Sequence, residues 1–236
     1  ATTYLDPSYE CTICEDTGYN NNKKCQCFRQ ALINAAYEQS NLKSILLMEN
    51  FSTFSFEFYS PEKNKLGVSP LDNMKGVHNC CKRFVDEFDT SFSNLILYGQ
   101  TGLGKTFLCN CIAKDVLDSG HSVLYLTAFK LFKLLEAYRF KDEEQEVSFE
   151  AIDDINSCDL LIIDDLGSEV INSFTSSELF NCLNTRLQGK KSTVISTNLD
   201  PSGWSKSYSE RIVSRILGNF TPLRLLGEDI RVQKYN

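Results

Sequence analysis

Leu95-Ile96-Leu97-Tyr98-Gly99-Gln100-Thr101-Gly102-Leu103-Gly104-Lys105-Thr106 decides how this chain is read. Four apolar residues predict a short buried strand that stops at Gly99. Beyond the loop, Leu108, Ile112, Val116 and Leu117 recur at helical spacing, and Gly120 is placed as the helix stop. The loop between them fits G-x-x-x-x-G-K-S/T. Its glycines let successive backbone N–H groups turn toward a phosphate, and the following helix adds its positive end. Gly99, Gln100, Thr101, Gly102, Leu103 and Gly104 form the expected cradle for ATP or ADP, with Phe107 just past it. Lys105 is expected to reach the β- and γ-phosphates and Thr106 to ligate Mg²⁺. An incidental glycine turn is the alternative, and the strand–loop–helix context argues against it.

Downstream, apolar runs alternate with helical patterns. Strands are predicted at Ser122 to Leu126, Leu160 to Ile163 and Thr193 to Ser196. Helices are predicted around Phe129 to Tyr138 and Ser176 to Leu187, with an acidic loop and helix start over Lys141 to Asp154. This order predicts an α/β fold, a parallel sheet covered on both faces, whose strand ends carry the ligand site. Asp164-Asp165 follows the buried run Leu160 to Ile163, as in a Walker B strand. Asp164 is expected to hold Mg²⁺, and Asp165 to polarise the attacking water. Asn198, after Ser196-Thr197, is placed to orient that water, whereas an isolated Asn at a strand end is more often a turn former. Arg211 and Arg215 lie four residues apart in Glu210 to Arg215. They suit either charge stabilisation from a neighbouring subunit or a salt-bridged surface helix.

Three regions are expected: 1–30, 31–92 and 93–236. The second reads as helix, loop and helix, with Phe51, Phe54, Phe56 and Phe58 in an aromatic connector ending at Ser60-Pro61. The 236 residues, 42% apolar and 23% charged, suffice for one full domain and a small appendage. A net charge of -7 argues against broad non-specific wrapping of duplex DNA, though not against a local basic groove. Lys130, Lys133, Arg139 and Lys141, interleaved with Phe129 and Phe132, form a modest basic patch. Base stacking on single-stranded DNA and core phenylalanines beneath solvated lysines both fit it. No apolar run approaches the ~20 residues of a membrane span, and the polar start has no export signal, so a cytoplasmic, reducing location is expected. The sequence does not open on Met, so residues upstream of Ala1 are expected.

Cys11, Cys14, Cys25 and Cys27 read C-x2-C-x10-C-x-C in a segment too short for an apolar core. Four thiolates at this spacing suit a structural Zn²⁺, which supplies the stabilisation the segment lacks; two disulfides or free thiols are the alternatives. Cys80, Cys81, Cys109, Cys111, Cys158 and Cys182 are expected as small core residues.

Together, Gly99 to Thr106, Asp164 to Glu169, Ser196-Thr197-Asn198 and Glu210 to Arg215 resemble the AAA+ ATPases of the DnaC/DnaI helicase-loader family, the group that includes the transposition helper IstB. Gly227-Glu228-Asp229-Ile230-Arg231 resembles the family's C-terminal signature, which makes Arg231 a sensor 2 candidate. The cysteine cluster looks like that of DnaI-type loaders of Gram-positive bacteria and their phages. The resemblance implies a three-layer ATPase domain with sheet order 5-1-4-3-2; the lid of many relatives is expected to be small or absent, since about 20 residues follow Arg215. It further implies Mg²⁺-dependent ATP hydrolysis, single-stranded DNA binding and ATP-dependent assembly into a ring or spiral. Loading of a hexameric replicative helicase is implied through a region the family keeps ahead of the cysteines. An IstB-like transposition ATPase, an ATP-switched adaptor with little turnover, and a small-molecule kinase compete with this reading. The kinase is disfavoured because no acceptor-binding lid is visible.

Overall fold

The computed structural model describes residues 9–21, 23–28, 30–31, 42–64, 67–140 and 148–233. The chain divides into two compact units, 1–43 and 44–236. The first holds a short antiparallel hairpin, β1 (Tyr19–Asn20) and β2 (Lys23–Lys24), beside the four cysteines.

The second unit runs α1 (Leu42–Met48), α2 (Pro70–Asp86), β3 (Leu95–Tyr98), α3 (Lys105–Asp118), β4 (Val123–Thr127), α4 (Ala128–Phe140) and α5 (Phe149–Ser157). It continues through β5 (Leu160–Leu166), α6 (Ser173–Gln188), β6 (Ser192–Thr197), α7 (Pro201–Ser207), α8 (Glu210–Asn219), β7 (Thr221–Arg224) and α9 (Ile230–Gln233). The sheet order is β4-β5-β6-β3-β7, all pairs parallel, which is the anticipated 5-1-4-3-2 counted over these five strands. Leu160 to Ile163 are fully buried, as the unbroken apolar run of a central parallel strand requires. On one face α3 packs against β4, β5 and β6, with α2 behind it. The opposite face carries α4, α6 and α8 over a core that includes Leu131, Leu179, Trp204 and Ile212.

The edge strand β7 had no apolar signature, because only Leu223 of its four residues is buried. Pro222 sits there without disrupting a ladder on its outer side, as edge positions allow. After β7 the described residues hold the four-residue α9. Among the described residues no helix is long and apolar enough to cross a membrane.

The fully buried Arg186 of α6 braces the strand starts. Its guanidinium donates to Thr193 Oγ1 (3.0 Å), Ile155 O (2.8 Å), Cys158 Sγ (3.3 Å) and Ser192 O (2.6 Å). Cys81, Cys109, Cys111, Cys158 and Cys182 are buried, and Cys80 is half-buried.

Candidate nucleotide site

The loop from Gly99 to Gly104 joins β3 to α3, and the carboxyl ends of β5 and β6 lie beside it. Gly104 caps α3 at φ +88 and offers no capping side chain, so the first-turn N–H groups face the loop. Gly102, at φ +77, takes a left-handed conformation that favours glycine. The Asp229 carboxylate lies directly against it, so a methyl there would have to displace that side chain.

Lys105 is buried, and its ammonium donates to Gly99 O (2.8 Å), Gln100 O (2.7 Å) and Asn198 Oδ1 (2.7 Å). Burial holds this lysine below its ordinary pKa, while Asp165 and Asp164 pull the other way. The Asn198 amide turns its other end outward, Nδ2 donating to Asp165 Oδ1 at 2.8 Å. One side chain thus bridges the loop lysine and the second carboxylate. Asp164 is buried and accepts from Thr106 Oγ1 (3.1 and 3.2 Å) and from the Ser196 hydroxyl. Hydroxyl and carboxylate oxygens converging in this way form a hard donor set of the kind Mg²⁺ takes.

Strand β5 outruns its sequence signal, reaching Leu166 rather than Ile163, with a register break between those two residues. The break is a bulge at Asp164-Asp165, and Asp165 takes the left-handed conformation at φ +59. Bulges of this kind re-aim side chains beside functional sites. Here the result is two adjacent carboxylates on separate tasks. Asp164 meets Thr106, and Asp165 meets Asn198.

The loop, Asp164, Asp165 and Asn198 line one wall of a cavity of about 550 Å³. Phe54, Phe58 and Tyr59, from the aromatic connector, line another. The sequence reading gave these residues no site role. Phe54 stacks on Tyr59 and meets Phe107 edge-on at 5.5 Å, and Tyr59 OH donates to Leu103 O at 3.1 Å. The signal that could have found them is the aromatic density of Phe51 to Tyr59, where Phe54, Phe56 and Phe58 alternate as in a strand although none forms there.

The C-terminal signature closes the rim. Ile230 N donates to Gly102 O at 3.0 Å, and Arg231 lines the cavity while pairing with Asp229 at 3.3 Å. That pairing, with the Arg231 backbone N–H, holds the Asp229 carboxyl below its usual range.

Arg211 and Arg215 both lie on α8, in different surroundings. Arg211 is exposed. Arg215 is half-buried with its guanidinium 5.8 Å from the Phe180 ring centroid, and its Nε is enclosed without a hydrogen-bond partner. On α4, Phe132 is core, whereas Phe129 is 66% exposed beside exposed Lys130 and Lys133. Phe132 is thus a core residue beneath the solvated lysines, and Phe129 is not. Arg139 is exposed, and Lys141 lies outside the described residues.

In the N-terminal unit the sulfurs of Cys11, Cys14, Cys25 and Cys27 all lie within 4.8 Å of one another. Cys11 and Cys25 are 3.8 Å apart, and Cys14 and Cys27 3.3 Å. Zn–S bonds of about 2.3 Å place tetrahedral sulfurs about 3.8 Å apart, so the donor set fits one zinc ion. Backbone N–H groups of Cys14 and Ile13 lower the Cys11 thiol to about 7, while the shared contact with the Cys14 sulfur raises Cys27 to about 12.

This parallel sheet, with its loop, paired carboxylates and strand-end asparagine, is the architecture of an AAA+ P-loop ATPase domain. The sequence profile of the IstB-like ATP-binding proteins matches residues 80–234, and the chain belongs to that family. It is similar to the replicative helicase loader DnaC of Buchnera aphidicola subsp. Acyrthosiphon pisum (strain APS), at 26% identity over 174 residues. That match covers 73% of this chain and 67% of the loader. The fold is similar to the crystal structure of DnaI, with a TM-score of 0.61 and 22% identity, over 78% of this chain and 94% of that one. The replication initiator DnaA bound to AMPPCP and single-stranded DNA aligns with a TM-score of 0.57 and 22% identity, over 76% of this chain and 51% of that one. The motif-based resemblance to the DnaC/DnaI group stands on these similarities.

Proposed function

We propose that this chain binds and hydrolyses ATP with Mg²⁺ and acts as a loader-type ATPase on a hexameric replicative helicase and single-stranded DNA. The observation that carries the reading is the Asn198 amide, bonded to Lys105 on one side and Asp165 on the other within one cavity. In this reading the loop N–H groups and Lys105 take the β- and γ-phosphates. The Asp165 carboxylate accepts the proton of the attacking water, and the Asn198 amide fixes that water's position. Thr106 and Asp164 would hold Mg²⁺, which supplies charge neutralisation between the phosphates. Phe54, Phe58 and Tyr59 offer the base an apolar wall. Arg231 sits at the rim, where it would sense the phosphates.

Arg211 is the better placed of the two arginines to act on a neighbour's nucleotide, because Arg215 is engaged with Phe180. That role requires ATP-dependent self-association into a ring or spiral. Exposed Phe129 with Lys130 and Lys133 supplies a stacking ring and two cations for a single strand. Zinc on the four cysteines would stabilise the small N-terminal unit. An IstB-like transposition role is favoured by the family profile, and the DnaC similarity and the cysteine cluster weigh against it.

Phosphate release from ATP with and without single-stranded DNA, beside co-purification with a hexameric replicative helicase, tests the reading. Stimulated turnover and helicase capture are expected. ATP binding without turnover under any of these conditions would leave the switched adaptor as the better account.

A further inference from the structure

Glu169 belongs to the motif that follows the paired carboxylates, yet the nucleotide site does not use it. It is 9% exposed. Its Oε2 accepts from Gly167 N at 2.7 Å, and its Oε1 accepts from Tyr208 OH at 2.6 Å. Tyr208 is 5% exposed and joins two helices, its backbone N–H capping α7 at Trp204 O and its neighbour Ser209 opening α8. Burial and the Glu169 carboxylate together push its phenol well above the ordinary tyrosine value.

This contact ends a series that ties the end of β5 and the turn beyond it to the end of β6 and the segment beyond it. Asp165 accepts from Asn198, and Leu166 O accepts from Thr197 Oγ1 at 2.6 Å. Gly167, at φ +99, lies so close to Leu199 that a methyl would sit 2.7 Å from Cδ1. Every residue from Asp165 to Gly167 thus has a partner between Thr197 and Leu199, and Glu169 carries the series on to the start of α8. A buried carboxylate held by two neutral donors is a costly way to join two turns. An apolar pair of similar shape would hold them as well or better. What it adds is directional: its geometry fixes the α8 start relative to Asp165.

We propose that Glu169 and Tyr208 are a positioning pair that transmits the nucleotide state of the Asp165 turn to the first turn of α8, and so sets how Arg211 is presented to a second copy of this chain. The proposal rests on the ATP-binding reading above.

Hydrogen exchange of the full chain, with and without saturating non-hydrolysable ATP analogue and Mg²⁺, tests it without requiring turnover. Wild type should bind the analogue and change exchange over both residues 165–170 and residues 209–213. Tyr208→Phe should bind within about three-fold of wild type and keep the first change, but lose at least about half of the second. Because Tyr208→Phe strands a buried carboxylate, the double variant Glu169→Met/Tyr208→Phe is the control for stability. With both side chains apolar, and the half-buried Gly167 N–H left to water, it should recover part of the lost melting temperature without recovering the response at 209–213. A response there that survives Tyr208→Phe, returns in the double variant, or is absent from analogue-bound wild type overturns the coupling. A wild type that does not bind the analogue overturns the nucleotide reading and this inference together, and the binding signal distinguishes that outcome.

Discussion

Asp165→Asn separates chemistry from structure at this site. Asp165 holds φ +59, a left-handed conformation that costs most L-residues about 1–2 kcal/mol and that Asn tolerates as well as Asp. The Asn198 Nδ2 contact at 2.8 Å can be kept by an amide oxygen, and the Asp165 backbone N–H still donates to Ser196 Oγ. The cost is the difference between a charged and a neutral acceptor, on the order of 0.5–1 kcal/mol. In a domain of this size that lowers the melting temperature by about 1–4 °C. ATP affinity should hold or rise, since one negative charge leaves the triphosphate's surroundings. Turnover should fall about 10²–10⁴-fold, the usual contribution of a positioned general base. Single-turnover phosphate release, with melting curves on the same preparations, measures both quantities. Turnover within about three-fold of wild type would refute the assignment of Asp165. A melting drop beyond about 8 °C would show instead that the carboxylate holds the bulge together.

Other consequences follow from the same geometry. Arg186→Ala removes a guanidinium that donates to the buried Ile155 and Ser192 carbonyls and leaves a cavity in its place. It should cost at least about 3 kcal/mol, readable as a melting drop of roughly 6–12 °C with nucleotide affinity per folded chain unchanged. Protein purified under reducing conditions without added zinc should carry close to one zinc per chain, and Cys14→Ser should lose it; less than about half occupancy in wild type favours free thiols. Activity per chain should rise with protein concentration, and Arg211→Ala should lower it by about 10³ or more while melting as wild type. Arg215→Ala should lower the melting temperature instead, because it loses the Phe180 contact. Activity that neither dilution nor the Arg211 substitution changes would remove the trans-arginine role.

The phosphate loop, the paired carboxylates and Asn198 were legible in the sequence because each is local. A glycine pattern sits between strand and helix, and polar residues end buried apolar runs. Four of the five sheet strands were visible for the same reason. Strand β7 was not, since an edge strand with one buried residue has no period to detect. The aromatic wall was also hidden. Tyr59 reaches Leu103 across a sequence separation of 44 residues, and only the packing of the connector against the loop shows that Phe54 lines a cavity. The left-handed turn at Asp165 could not be read either, because an Asp-Asp pair does not announce which carboxylate turns outward. Arg211 and Arg215 looked equivalent by spacing. The distinction between them comes from Phe180, whose position on α6 depends on tertiary packing.

The measurement that bears most directly on the whole account is equilibrium titration of ATP with Mg²⁺ into wild type and Lys105→Ala. Lys105 is the loop's single cation, and its three hydrogen bonds involve Gly99, Gln100 and Asn198. Replacing it removes a charge-assisted contact to phosphate while leaving the sheet untouched. Saturable binding by wild type is expected, weakened by about 10-fold or more in the folded variant. No binding by wild type, or equal affinity in the two proteins, would contradict the assignment of this loop as the ATP site.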